Sequence, residues 1–306
     1  MNRAIVSGGA GFVGSALVKE LISQNIDVYV IVRPGFSAKG TNKRLEGLPV
    51  HIVECDLKNI ADIPNMLGDV PFDVWYQLAW DGLFGDELKD YKIQLMNVQY
   101  VMEAIKAAKN IGCKKFVGSG SISQYELQFP GGRDNPNDKH RVYKTAKLAC
   151  EYMGTCVAQD AGIEFIWPIF TNIFGAGEMS PRLINSMIRR LLNGEHQALS
   201  QGEQYYDFIY ITDAARALRL IGEKGRAGRH YVLAGGHAAP LKEFLTTVRD
   251  VVAPDAVLGF GEMEFNGVYL PKEMYSIEEL TEDTGFVPEL SFAESVRLTM
   301  EWIKGQ

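Results

Sequence analysis

The stretch Ser7-Gly8-Gly9-Ala10-Gly11-Phe12-Val13-Gly14 constrains this chain more than any other. It follows a short β-branched run, residues 3–7, and precedes an amphipathic helical pattern over 13–23. Gly8, Gly11 and Gly14 recur at every third position, and each spacing has its own physical reason. A tight turn out of a strand needs Gly8, close approach of a pyrophosphate to backbone needs Gly11, and packing of the helix on the strand needs Gly14. The first helical residues, Phe12 and Val13, then offer free N–H groups to an anion. Strand, glycine turn and helix in this order predict a dinucleotide-binding unit, and with it a parallel sheet joined by crossover helices.

The first half of the chain repeats that alternation. Strand patterns lie at 3–7, 27–33, 50–54, 73–78, 115–119 and 163–169, and helical patterns at 13–23, 60–67, 88–109 and 141–161. Right-handed crossovers place such helices on both faces, which predicts an α/β, Rossmann-like doubly wound sheet. After Gly175 the alternation lapses. A helix is expected over 181–193, a strand over 205–211, helices over 212–222 and 241–252 around a strand at 230–233, and two last helices over 276–284 and 292–304. The expected division is a Rossmann domain over 1–170 with 207–233 completing its sheet, and a small interleaved C-terminal substrate-binding lobe from 171–206 and 234–306. At 306 residues, 46% of them hydrophobic, the chain is long enough to bury both.

Charge and cysteine usage narrow the function. The net charge of −7 comes with no basic block long enough to follow a phosphate backbone, so nucleic acid is not an expected partner. Cys55, Cys113, Cys150 and Cys156 show no CxxC spacing and no nearby histidine at zinc-ligand spacing, which predicts a reduced, metal-free cytoplasmic protein. No apolar run reaches the roughly 20 residues that cross a bilayer, and Ser7-Gly8-Gly9 cuts the first one where a signal peptide would continue.

The second strand bears on which cofactor binds. A carboxylate at its end suits the ribose of NAD, whereas an arginine suits the 2′-phosphate of NADP. Here the strand ends in Arg33, and Asp27 stands at its beginning, so NADP is the preferred cofactor and NAD the alternative; Arg33 as a solvated loop charge stays open. Asp56 and Leu57 close the third strand where an adenine edge would lie, although Asp56 also suits a helix N-cap. Leu78 and Ala79 close the fourth strand beside the middle of the cofactor.

Tyr143 and Lys147, four apart in a helical pattern, project from one helix face. An ammonium nearby favours phenolate and would lower the tyrosine pKa from about 10, making Tyr143 a general acid or base. The pair follows a serine-rich strand end, Ser119-Gly120-Ser121-Ile122-Ser123-Gln124-Tyr125, where a hydroxyl faces the ligand crevice of an open α/β sheet.

With Asp56-Leu57, Gln77-Leu78-Ala79, Asn97, Asn172-Ile173-Phe174-Gly175 and the run from Tyr206 to Asp213, these residues resemble an extended short-chain dehydrogenase/reductase of the NAD-dependent epimerase/dehydratase family, which works mainly on nucleotide sugars. The resemblance covers essentially the whole chain. It implies Ser121, counted back from Tyr125, as the serine that orients the reacting oxygen, with Ser119 and Ser123 as alternatives. It implies Tyr143 as acid/base and Lys147 as the holder of the nicotinamide ribose hydroxyls. It also implies Asn172 on the substrate side, Trp80 as a wall of the substrate pocket or as lobe packing, and a homodimer through helices 88–109 and 141–161.

Two departures limit the reading. Where the family's dehydratases carry an acidic pair this chain has Ile122-Ser123-Gln124, so dehydration is not expected. Two arginines that clamp a substrate diphosphate are replaced, one by Tyr206 and one near Asn266, and Arg182 in the first turn of the predicted helix 181–193 is the expected substitute. The expected function is an NADP-preferring oxidoreductase that reduces a ketone on a nucleotide-linked sugar. The alternatives are an NAD-dependent epimerase of the same fold, a reductase of a smaller ketone or alcohol, and a non-catalytic cofactor-binding protein.

Overall fold

Strand β1 (Arg3–Ser7) is buried along Ala4-Ile5-Val6 because it lies inside a sheet covered on both faces. The computed structural model describes residues 1–36, 41–132, 134–135 and 138–306. From β1 the chain winds in both directions. Strands β2 (Asp27–Val32) and β3 (His51–Glu54) extend one side, and β4 (Val74–Gln77), β5 (Lys115–Val117) and β7 (Glu164–Ile166) the other, all parallel, in the order β3-β2-β1-β4-β5-β7. Helices α1 (Phe12–Ser23) and α6 (Ile211–Lys224) pack together on one face. On the other face lie α2 (Ile63–Leu67), α3 (Tyr91–Asn110) and α4 (Arg141–Ala161). This is the Rossmann-like doubly wound fold, with its switch point between β1 and β4.

Two predicted strands are each broken, for a steric reason. β6 (Gly120–Ser121) resumes after β5, and β8 (Ile169–Phe170) resumes after β7. Between them the Trp167 ring lies where a Cβ on Gly118 would sit only 2.1 Å away, and Pro168 has no N–H to give the ladder. β13 (Val232–Leu233) pairs with β8 in parallel, and with β6 on the other side of β8 they form a separate three-stranded sheet. Other limits also shift. The helix expected from 88 begins at Tyr91, where the Asp90 carboxylate accepts the Lys92 N–H at 2.8 Å. The helix expected from 60 begins as a 3₁₀ turn over Leu57–Asp62.

The remaining elements use very short strands. β9 (Asn172–Phe174) pairs with β12 (Phe208–Tyr210), β10 (Gln197–Leu199) with β15 (Leu258–Phe260), and β11 (Tyr205–Tyr206) with β14 (Ala239–Pro240). The strand expected over 205–211 is split at Asp207, whose carboxylate accepts the Gly235 N–H at 2.7 Å and the His237 N–H at 2.8 Å. Burial nevertheless pushes the Asp207 carboxyl up to about 6. Helices α5 (Leu183–Leu192), α7 (Leu241–Val252), α8 (Glu278–Thr284) and α9 (Phe292–Lys304) complete the chain. Phe292 of α9 meets Phe174, Phe208 and Phe244 at ring separations of 5.3, 5.6 and 4.9 Å, which joins the last helix to β9, β12 and α7. Among the described residues no helix is long and apolar enough to cross a membrane.

Candidate functional site

The glycine turn leaves β1 at the carboxyl ends of the strands, beside the switch point. Gly8 has φ of +78°, and a Cβ there would lie 2.7 Å from the Ala79 nitrogen. A Cβ on Gly14 would lie 2.2 Å from the Gly8 carbonyl oxygen, so the helix could not sit this close to the turn with any other residue. Gly11 is different: a Cβ there meets only the Gly8 oxygen, at 3.2 Å, and otherwise points into open space. Gly11 is the N-cap of α1 and no side chain caps that end, which leaves the N–H groups of Phe12 and Val13 available. A groove of about 470 Å³ runs over the loop, lined by Gly8, Gly11, Leu57, Leu78, Ala79 and Trp80 among others. At its floor the Ser7 hydroxyl is buried without a hydrogen-bond partner. Bare glycine backbone, a helix N-terminus and an orphaned hydroxyl suit a dinucleotide pyrophosphate.

At the rim Asp56 caps the 3₁₀ turn. Its carboxylate accepts the Lys58 N–H at 3.1 Å, while Leu57 faces the groove. Arg33 also reaches the rim, yet its guanidinium is ion-paired with Asp81. The charge read from the sequence as a partner for a 2′-phosphate is therefore already met.

On α4, Tyr143 and Lys147 share one face, but they find different partners. The Tyr143 phenol lies near Ser121, which ends β6 and whose side chain favours the ionised phenol. The Ser121 hydroxyl lies 2.8 Å from that of Ser123, and its backbone N–H donates to Gln124 Oε1 at 3.1 Å. Ser119 belongs to Lys147 instead: the ammonium donates to its carbonyl at 2.7 Å and reaches its hydroxyl at 3.4 Å. Lys147 Nζ also lies 3.5 Å from the centre of the Trp80 ring and 5.7 Å from that of Tyr143. Burial pushes the ammonium down to about 7, and burial raises the Tyr143 phenol above its ordinary value. The Ser121 side chain and the positive charge of Arg182 oppose that rise. The expected lowering of Tyr143 by Lys147 is thus corrected: the phenol's own burial outweighs the groups that lower it, and the ammonium sits against the Trp80 face and the Ser119 carbonyl. Trp80 is itself buried, donates to Gln94 Oε1 at 2.9 Å, and packs its ring edge-to-face on Tyr143 at 5.9 Å.

Toward the C-terminal elements, Arg182 is the N-cap of α5 and not a first-turn residue, because the helix begins at Leu183. Its Nε lies 3.3 Å from the Glu178 carboxylate. Tyr206 stacks on Phe208 at 5.8 Å, and the Asn172 amide donates to the Asp207 carbonyl at 3.0 Å, tying β9 to β12. No local pattern points to Arg44, which donates to the Ala10 carbonyl at 3.3 Å and to the Gly177 carbonyl at 2.7 Å, and so links the glycine loop to the segment before α5. Glu151 was findable, since it lies four residues beyond Lys147 on the same face. It accepts from Gln124 and, at 3.0 Å, from the Tyr125 hydroxyl, which in turn meets His230 Nε2 at 3.0 Å. His140 is an exposed N-cap of α4. Among the described residues no group of three or more His, Cys, Asp and Glu side chains could hold a metal ion.

Residues 4–234 match the NAD dependent epimerase/dehydratase family. A dTDP-glucose 4,6-dehydratase of Streptomyces griseus is 22% identical over 311 residues, covering 98% of this chain and 94% of that one. Among solved structures, the UDP-N-acetylglucosamine 4-epimerase of Methanobrevibacter ruminantium, in complex with UDP-N-acetylmuramic acid, superposes with a TM-score of 0.81 at 25% identity, covering 100% of this chain and 99% of that one. The UDP-glucuronic acid 4-epimerase of Bacillus cereus, in complex with UDP-glucuronic acid and NAD, superposes with a TM-score of 0.77 at 20% identity, covering 99% of each chain.

Proposed function

Because the chain belongs to the NAD dependent epimerase/dehydratase family, we propose that it interconverts two epimers of a nucleotide-linked sugar with NAD held in the glycine-loop groove. The observation that carries this reading is the meeting of Tyr143 and Lys147, on one face of α4, with the Ser119–Ser121 strand end and the Trp80 ring beside the glycine-loop groove. When bound, the nicotinamide supplies the acceptor and donor of hydride at the sugar carbon. Tyr143 takes the proton of the sugar hydroxyl and later returns it, and Ser121 hydrogen-bonds the same oxygen and fixes its direction. Lys147 offers its ammonium to the nicotinamide ribose. Gly8, Gly11, Phe12, Val13 and Gly14 hold the pyrophosphate, and Leu57, Leu78 and Ala79 line the cofactor's path.

Dehydration has no acid to serve it. Gln124 is fully buried and its amide is occupied by the Ser121 N–H, Trp167 and Glu151. Epimerisation is favoured over the NADP-linked ketone reduction expected from the sequence because Arg33 is paired with Asp81, and because the Bacillus cereus relative is solved with NAD and a nucleotide sugar. The lobe from 171–206 and 234–306 takes the substrate, with Arg182 on the diphosphate and Tyr206 and Asn172 shaping the wall. The exposed Tyr91 and Leu95 of α3 and Tyr152 and Met153 of α4 form an apolar face that pairs with a second copy. A reducing compartment, the cytoplasm, is the proposed location, and the four free cysteines are in keeping with it.

Incubation with UDP- and dTDP-linked hexoses and catalytic NAD tests the proposal, with products followed by NMR. An epimer should accumulate with no net NADH. Tyr143→Phe should lower turnover by about 10²–10⁴-fold while NAD still binds. Consumption of NAD(P)H in step with product would move the assignment to a reductase, and a dehydrated keto sugar would refute it.

A further inference from the structure

Asp81 is the group that the proposed chemistry leaves without a task. Its backbone is clamped by Asn97, which accepts the Asp81 N–H and donates to the Asp81 carbonyl, both at 2.8 Å. From that fixed position its carboxylate pairs with Arg33 across the adenine end of the groove. A second cavity of about 490 Å³ adjoins the groove and shares Arg33, Leu57 and Asp81 with it. Its ionisable lining adds Asp56, Glu87 and Lys92, so carboxylates outnumber cations there. On the far side of Arg33, Glu54 accepts the Gly35 N–H at 3.0 Å and brings a further negative charge.

We infer that Asp81 is a specificity-determining residue that fixes the choice of NAD over NADP by neutralising Arg33. The inference rests on the groove being a dinucleotide site, as proposed above. A 2′-phosphate carries close to two negative charges, and to use Arg33 it must displace Asp81 and leave that carboxylate facing it. The ribose 2′-hydroxyl of NAD is neutral, meets no such repulsion and can donate a hydrogen bond to a carboxylate. An arginine at the end of β2 therefore does not by itself mean NADP, because the countercharge arrives from a loop 48 residues further along the chain.

Calorimetric titration of the full-length protein with NAD⁺ and NADP⁺ tests this without any substrate. The wild type should bind NAD⁺ the more tightly. Asp81→Asn keeps the shape and removes the charge, and should tighten NADP⁺ by roughly tenfold or more while NAD⁺ changes little. Asp81→Ala should do the same, which guards against an amide that merely rebinds Arg33. Adding Arg33→Ala to either variant should abolish the gain. A cofactor ratio unchanged in both single variants overturns the inference, as does a wild type that already prefers NADP⁺, and the dinucleotide site stands in both cases. A wild type that binds neither nucleotide overturns the dinucleotide reading itself and this inference with it.

Discussion

Replacing Lys147 with methionine measures what the buried ammonium costs the fold. Methionine keeps the straight aliphatic stem beneath Trp80 and carries no charge. Lys147 is 3% exposed, and burial lowers its pKa from 10.5 to about 7. Below pH 7 the folded protein must hold an ammonium that the unfolded chain hydrates freely. Between 7 and 10.5 the folded chain has released the proton and the unfolded chain still binds it, so stability rises with pH across that window. At about 1.4 kcal/mol per pH unit the whole window is worth roughly 5 kcal/mol. The methionine variant avoids that penalty but leaves the Ser119 carbonyl without its donor, a loss of about 1–3 kcal/mol. It should therefore be about 2–4 kcal/mol more stable than wild type near pH 6 and slightly less stable near pH 10, so that the two stability curves cross. Urea unfolding followed by circular dichroism at several pH values reads this directly. Parallel curves, or a variant destabilised at every pH, would refute the reasoning. Turnover should be lost in the same variant, a gain in stability at the expense of function.

Other expectations concern the substrate side of the site. Ser121→Ala removes a hydroxyl that lowers the Tyr143 phenol, so the pH profile of turnover should move to the alkaline side as the rate falls; an unmoved profile would mean that Ser121 only orients substrate. Arg182→Ala should weaken nucleotide-sugar binding by roughly tenfold with NAD affinity unchanged, while Tyr206→Arg should change it little. Strong tightening by Tyr206→Arg in a binding titration would show that Arg182 does not meet the diphosphate.

What could be read from the sequence was what lies close together along the chain. The glycine turn, the Tyr143–Lys147 pair and the alternation of β1 through β7 are local patterns, and the fold follows from them. Gly118 hides its reason, because the ring that requires it belongs to Trp167 on another strand. Arg33 invited a phosphate only while Asp81 was out of view. The direction of the Tyr143 shift is not legible either, since nothing in the helix announces how deeply the phenol is buried beside Trp80. Strands of two or three residues such as β10, β11 and β14 are too short to show a period, so β10, β14 and β15 went unforeseen.

The aromatic junction around Phe292 ties the last helix to the same core as the first strand. Ala4 and Val6 of β1 belong to the same apolar cluster as α6, Phe208 and Phe244, and Phe292 of α9 packs against it. Besides α1, much of the cluster that shares this face of β1 comes from segments beyond residue 170. Contacts so far apart along the sequence close slowly, and without α9 the Phe208 and Phe244 rings lack the Phe292 ring that packs on both. A chain truncated before α9 should therefore expose apolar surface, read as stronger binding of a hydrophobic dye than the full chain shows.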